Sequence, residues 1–485
     1  MNQFIHRVTP LCFLLLVGCT VGPDYQKPDL TSHLPGQYHR IECRSNERTA
    51  GLIAELTAEP STDRWWTTFN DSAINQLVDT ALLHNLDLAT ADANIKQARA
   101  QLRINESASL PQLSAGGRIG RDRISKNGEF LSNIPIQNPD VNFTDYRTQF
   151  DASWEIDLFG HNRRQVEAAQ ARLTSVEDQR DEVALRIAAE VVRTAIDYRA
   201  WRKRTKNAQL ILQESKQLLE LVILQQQAGL LSESDVMEAE LAMHQAAAAI
   251  PSFQSATFAS VMAMTVLTNQ SHGEVATLLQ ANADIPAVPD HIASPGMPSD
   301  LLLRRPDLRS AERNLAAATA DIGVAVAEQY PRLTLVGNGG LDSVTPGKFT
   351  QLASTFWNLG PQLSIPLFAG GRLTAQVKGR EAARDAALAQ YRQAVLTAFA
   401  DTETALIRYQ RERQRLTQIK QAFDTQHRQL NLAEQRYQAG ETSFINVLQA
   451  RQQLAQIHEQ QLASQQALAG NLTALFKSLG GSTKN

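Results

Sequence analysis

Tyr146-Arg147-Thr148-Gln149-Phe150-Asp151-Ala152-Ser153-Trp154-Glu155-Ile156-Asp157-Leu158 alternates apolar and polar residues at a period of two, and at Phe159-Gly160 the alternation stops. A helical run begins there and meets no Pro or Gly until Gly229. The switch recurs later in the chain. Trp357, Leu359, Pro361, Leu363, Ile365 and Leu367 alternate with Asn358, Gly360, Gln362, Ser364 and Pro366. After Pro366-Leu367-Phe368-Ala369 only Gly370, Gly371 and Gly379 interrupt the run before Gly440. A helix over either run would be about 90–100 Å long, several times the size of an ordinary domain. This is not a globular enzyme built around one core.

The similarity extends beyond the switch. Asn85-Leu86-Asp87-Leu88 precedes a helical run ending at Leu110-Pro111, and Arg305-Pro306-Asp307-Leu308 precedes one ending at Tyr330-Pro331. Pro111 and Pro331 stand 220 residues apart, as do Leu88 and Leu308, while Gly229 and Gly440 stand 211 apart. The chain therefore reads as two copies of helix, strand, loop, strand, very long helix, tight turn and long helix. The expected division is an N-terminal extended segment over 19–70, copies over 71–272 and 299–480, a Pro-rich linker over 273–298 where helix is disfavoured, and a tail over 481–485.

The partner strands are shorter and Gly-rich, Leu113 to Gly117 and Leu333 to Gly337. A half-buried soluble sheet alternates in the same way. Three features favour a membrane barrel instead: alternation over about 11 residues, full charges on the polar face, and an export signal. Four strands cannot close a barrel, and an open edge in hydrocarbon leaves backbone groups unsatisfied at several kcal/mol each. Three chains would supply twelve strands.

Along the first long run Ala184, Ile187, Val191, Thr194, Tyr198, Trp201 and onward to Val222 keep 3-4 spacing without a charge. The second run keeps it with one break, at Glu412. A seven-residue repeat held this long implies supercoiled helix pairing. A plain coiled-coil hairpin satisfies it as well as staves of a hollow cylinder do; a wet barrel next to the helices favours one continuous duct.

Aromatics make up only 6% of the chain, which suits helices packed side by side better than thick cores. Net charge is −3, with no basic cluster interleaved with aromatics, so a nucleic-acid partner is not expected. Residues 1–18 read as a signal peptide: Arg7 opens it, Leu11 to Val17 forms its apolar centre, and Leu16-Val17-Gly18-Cys19 resembles a bacterial lipobox. Cys19 is then the lipid attachment residue, and Thr20 after it favours the outer membrane. Cys12 leaves with the signal, so Cys43 has no partner for an internal disulfide. No later stretch reads as a transmembrane helix. His244, His427 and His458 lie alone on helical faces, with no second His or carboxylate at a ligand spacing that recurs in the other copy; Gly337-Asn338-Gly339-Gly340 leads into a loop and not a helix; and there is no nucleophile–base–orienter set. Neither catalysis, nor a metal, nor a cofactor is expected.

Several short stretches together resemble the TolC-like outer-membrane factors, in particular the lipoprotein branch of the multidrug efflux channels. They are Gly18-Cys19-Thr20-Val21-Gly22-Pro23-Asp24-Tyr25, Trp65-Trp66 with Phe69, Arg304-Arg305-Pro306-Asp307-Leu308 with Ala311-Glu312-Arg313, Ile322-Gly323-Val324-Ala325 with Tyr330-Pro331, and Pro366 to Arg372. The resemblance implies a mainly α fold with a β-barrel part: a homotrimer with a twelve-stranded barrel in outer-membrane lipid and a periplasmic helical barrel. It also implies two partners, a periplasmic adaptor (a membrane fusion protein) and an inner-membrane transporter of the RND type. The tight turns would be the adaptor-contacting tips, carrying Gly229, Leu230, Ser232 and Asp235 in one and Gly440, Glu441, Thr442 and Ser443 in the other. Gly suits a tight reversal, and Ser232 or Ser234, and Thr442 or Ser443, suit the caps of the returning helices. Where the family often carries a carboxylate ring, this chain has Asn446 and Gln449. Asp235, Glu238 and Arg451 are the other candidates for the pore constriction. A protein-secretion exit channel shares this architecture, and a lipid-tethered periplasmic scaffold is the rival of a different class.

Overall fold

The computed structural model describes residues 20–30, 64–125, 127–128, 140–282, 284–289 and 298–481. The signal segment, Cys19, Cys43 and all but the first residue of the 481–485 tail lie outside the described residues. Helices α1 (Ser72–His84) and α2 (Leu86–Ser107) lead into strands β1 (Gln112–Arg123) and β2 (Asn142–Ile156), then α3 (His161–Gln227), α4 (Glu233–Thr268) and α5 (His272–Gln280). The short α6 (Leu301–Arg304) and α7 (Pro306–Ala327) lead into β3 (Arg332–Ser343), β4 (Thr355–Ser364), α8 (Arg372–Gln438) and α9 (Phe444–Ser478). The mainly α, duplicated architecture is the one the sequence implies. The chain divides into two compact units, one of residues 1–28, 95–176 and 311–391, the other of 29–94, 177–310 and 392–485.

The first unit is built on one antiparallel sheet in the order β1-β2-β3-β4. Several strand ends differ from the sequence reading. β1 and β3 continue past Gly117 and Gly337 to Arg123 and Ser343, because their glycines sit opposite regular partners and cost the ladder nothing but side-chain packing. β4 stops at Ser364, short of Leu367, since Pro366 has no N–H to continue a ladder. Pro361 lies inside β4, the outer strand of this four-stranded sheet.

Beside the sheet, the segment after Thr20 is fixed by specific bonds. Val21 N donates to Phe159 O at 3.1 Å. The buried Arg164 guanidinium donates to Asp24 at 2.6 Å and to Glu167 at 2.7 Å. The Tyr25 hydroxyl donates to Glu312, and Arg313 lies over the Tyr25 ring at 5.6 Å. Burial pushes the Glu312 carboxyl up, but hydrogen bonds from Arg313 and Tyr25 outweigh it and hold the group below the usual carboxylate range.

In the second unit four long helical stretches lie side by side in the order α4-α3-α9-α8. Trp201 stacks on Phe253 at 5.8 Å between α3 and α4. Asn207 donates to Ala455 O at 2.9 Å, and Gln466 to Asp197 at 2.7 Å, between α3 and α9. Gln426 donates to Ala450 O at 3.2 Å between α8 and α9. The uncharged stripe faces inward: Ala184, Ile187, Val191, Tyr198, Ala208 and Val222 are all buried. Glu412, the charge in the second stripe, accepts from Ser464 and pairs with Arg415 at 3.0 Å. Trp65 and Trp66 pack edge to face at 5.9 Å, and Trp65 stacks on Phe476 at 5.4 Å.

Two expectations fail here. The span from Gly273 is not wholly unsuited to helix, because Ser271 and Glu274 form a capping box that starts α5 well before the prolines. And α4 is, by length and composition, apolar enough to cross a membrane, although only 17% of its most apolar window is buried. Its Ala-rich centre with Ile250, Phe253 and Phe258 raises the apolar content without a continuous aliphatic run.

Candidate functional site

Register sorts the sheet into two faces. Across the strands, Ser114, Asp151, Asn338 and Asn358 stand in one row, as do Arg118, Arg147 and Asp342 in another. All project from one face, joined there by Asp122, Asp145, Gln149 and Glu155. Arg118 pairs with Asp122 at 2.8 Å, Arg147 with Asp342, and the Arg147 guanidinium also lies 5.5 Å from the Phe356 ring. The opposite face carries Leu113, Ile119, Phe150, Trp154, Trp357, Leu359 and Leu363, and all are exposed, Trp357 by 80%. Water gives no reason for such a face; hydrocarbon does. The sequence had shown the alternation in β2 and β4. It had not shown Arg118, Asp122, Asn338 or Asp342, whose alternation is masked by intervening glycines and identified only through the register.

Both turns close in the same way. Gly229 and Gly440 each adopt φ of +75°. Leu230 N donates to Gln225 O and Gly229 N to Gln226 O, both at 2.9 Å; Glu441 N donates to Arg436 O at 2.9 Å and Gly440 N to Tyr437 O at 3.0 Å. This pair of bonds with Gly in the left-handed region ends a helix and reverses the chain. The returning helices begin differently. Ser232 caps α4 in a reciprocal box, with Asp235 accepting from Ser232 N at 2.8 Å and Ser232 Oγ at 2.6 Å, so the Asp235 carboxyl lies below its usual range because of the Ser232 hydroxyl and N–H. Ser443 occupies the cap position of α9 with no side-chain bond; instead Asn446 donates to Thr442 at 2.5 Å. The two turns share one apolar cluster: Leu218, Val222, Ala239 and Leu448, flanked by Leu231, Val236, Phe444 and Ile445.

Among the constriction candidates, Asn446, Gln449 and Glu238 are exposed. Asp235 is folded back onto Ser232, and Arg451 pairs with Glu434 at 2.9 Å. Leu230 is 72% exposed at the first tip, beside Ser232, and Glu441 is exposed at the second. Among the motif residues Arg305 is a structural pin: it binds Asp307 at 2.7 Å and Ser478 O at 3.2 Å. His458 packs against Phe423 and meets Asn207 Oδ1 at 3.0 Å; burial lowers its pKa.

A family model described as outer membrane efflux protein matches residues 77–270 and 297–481. The solvent efflux pump outer membrane protein SrpC of Pseudomonas putida is 30% identical over 473 residues, covering 96% of this chain and 96% of that protein. Nodulation protein T of Rhizobium leguminosarum bv. viciae is 30% identical over 474 residues, covering 96% of this chain and 92% of that one. Among solved structures, the outer-membrane channel OprN matches with a TM-score of 0.80 at 30% identity, over 96% of this chain and 99% of its own.

Proposed function

The chain belongs to the outer membrane efflux protein family, and from that premise we propose that three copies assemble into a passive exit duct for small apolar or amphipathic molecules. One observation carries the proposal: a four-stranded sheet with charge on one face, exposed apolar residues on the other, and two unpaired edges, β1 and β4. In hydrocarbon each open edge would leave backbone groups unsatisfied at several kcal/mol apiece. Joining β1 of one copy to β4 of the next removes every edge, and a rotation that closes on three gives twelve strands. The helices support the same joint. α4 and α8 are the outer members of their layer, with Met237, Leu241 and Phe258 exposed on one and Leu396, Leu432 and Tyr437 on the other.

Acylation of Cys19 supplies the anchor in this reading. Its neighbour Thr20 lies against Gly160, and Val21 is bonded to Phe159, three residues past the end of β2. Thr20 and Val21, next in sequence to the proposed attachment point, are thus tied near the end of β2. The tips at Gly229 to Asp235 and Gly440 to Ser443 serve as the surface for a periplasmic adaptor, with an inner-membrane transporter of the RND type supplying the energy. SrpC is named for solvent efflux, and the small apolar substrate class is taken from it.

Planar bilayers test the duct directly. The purified protein gives discrete conductance steps, and Asn446→Gly with Gln449→Gly raises the resting conductance by loosening the second tip. Absence of any steps refutes the duct; unchanged resting conductance in the double variant moves the constriction elsewhere.

A further inference from the structure

β1 ends in two arginines that the channel reading does not use. Residues Leu113, Ala115, Gly117 and Ile119 lie on the exposed apolar face, and the same alternation carries Arg121 and Arg123 onto that face. Both are exposed, and neither has a hydrogen-bond or ion-pair partner among the described residues. Their cross-strand neighbours are Thr144 and Asn142, which are neutral. The contrast with Arg118, on the other face, is direct, because that guanidinium is neutralised by Asp122 at 2.8 Å.

Height matters as much as charge. From Leu113 to Arg121 is roughly 26 Å along the strand at 3.3 Å per residue. A strand tilt of about 40° makes this about 20 Å along the membrane normal, close to the height of an outward apolar band. The pair also lies at the opposite end of the sheet from the strand ends that join α2 and α3. We propose that Arg121 and Arg123 bind the phosphate-bearing headgroups of outer-leaflet lipid, a proposal that rests on the sheet being part of a membrane barrel. A planar guanidinium takes a phosphate through two parallel N–H···O bonds, and two such groups two residues apart suit a lipid with more than one phosphate.

The test is native mass spectrometry of the detergent-purified protein with a bis-phosphorylated diglucosamine lipid, its dephosphorylated counterpart, and inorganic phosphate as competitor. The wild-type protein retains the phosphorylated lipid and not the dephosphorylated one, and inorganic phosphate at equal concentration does not displace it. Arg121→Gln with Arg123→Gln retains it about tenfold more weakly, yet remains oligomeric and conducts in bilayers. Equal retention by both proteins, equal retention of the two lipids, or displacement by inorganic phosphate overturns the lipid contact. A wild-type protein that neither assembles nor conducts overturns the channel reading instead.

Discussion

Gly22 crosses α7 so closely that a Cβ on it would lie 2.5 Å from the Cα of Gly323. Gly22 also has φ of +89°. Two glycines thus let the segment around Gly22 lie flat on a helix, where Arg164 and Asp24 hold it. Gly22→Ala is expected to cost about 1–3 kcal/mol locally, and to make the peptide bonds around residues 20–30 susceptible to a protease that leaves them intact in the wild type. Equal protection in both proteins would contradict this packing.

Asp71 accepts from Ala73 N and Ile74 N, caps α1, and pairs with Arg199, both side chains being buried. Burial pushes its carboxyl up, but the bonds from Arg199 and the two amides prevail and hold it below the usual carboxylate range. Arg199→Met strands a buried carboxylate and should destabilise the fold by about 3–5 kcal/mol, read as a lowered thermal midpoint.

The same group sets an acid limit. Because its folded pKa is depressed, its stabilisation is complete above the unfolded value of about 3.9 and is lost as pH falls through the lower folded value. Glu312 acts in the same direction. Stability should decline below about pH 4, and Asp71→Asn should lower stability at neutral pH while flattening that decline. An unchanged acid slope in the variant would assign the effect to other groups.

Gly340 has no room for a side chain, since a Cβ there would lie 1.9 Å from Thr148 O on the neighbouring strand. Gly340→Ala should therefore abolish assembly of heat-resistant oligomers, whereas Gly116→Ala, with nothing within 4 Å, should leave it intact. Equal behaviour of the two would refute the close approach of β2 and β3.

The tips differ in their caps, and this is measurable. Ser232→Ala removes a capping box and should cost about 1 kcal/mol, while Ser443→Ala removes no cap bond and should cost little. Hydrogen exchange at the first turns of α4 and α9 would show faster exchange only for the Ser232 variant.

Much of this architecture is legible in the chain because period and punctuation agree. Alternation at 146–158, helical runs bounded by Gly229 and Gly440, and fixed spacings between the copies all speak to backbone geometry. The outer halves of β1 and β3 were hidden because Gly116, Gly117, Gly120, Gly337, Gly339 and Gly340 dilute the alternation that marks a strand. α5 was hidden by prolines that begin only after its end. At the tips the glycines are readable from sequence, and Ser232-Glu233-Ser234-Asp235 has the spacing of a capping box that folds Asp235 back onto Ser232, whereas the pairing of Arg451 with Glu434 joins two helices and is decided only by their packing.

The number of copies in the assembled particle tests the central claim most directly, because one chain presents a sheet with two open edges. Native mass spectrometry of the detergent-solubilised protein should give a mass of three chains, and the same particle should conduct ions in a bilayer. A stable, non-conducting single chain whose β1 and β4 edges exchange no backbone bonds with another copy would contradict the account.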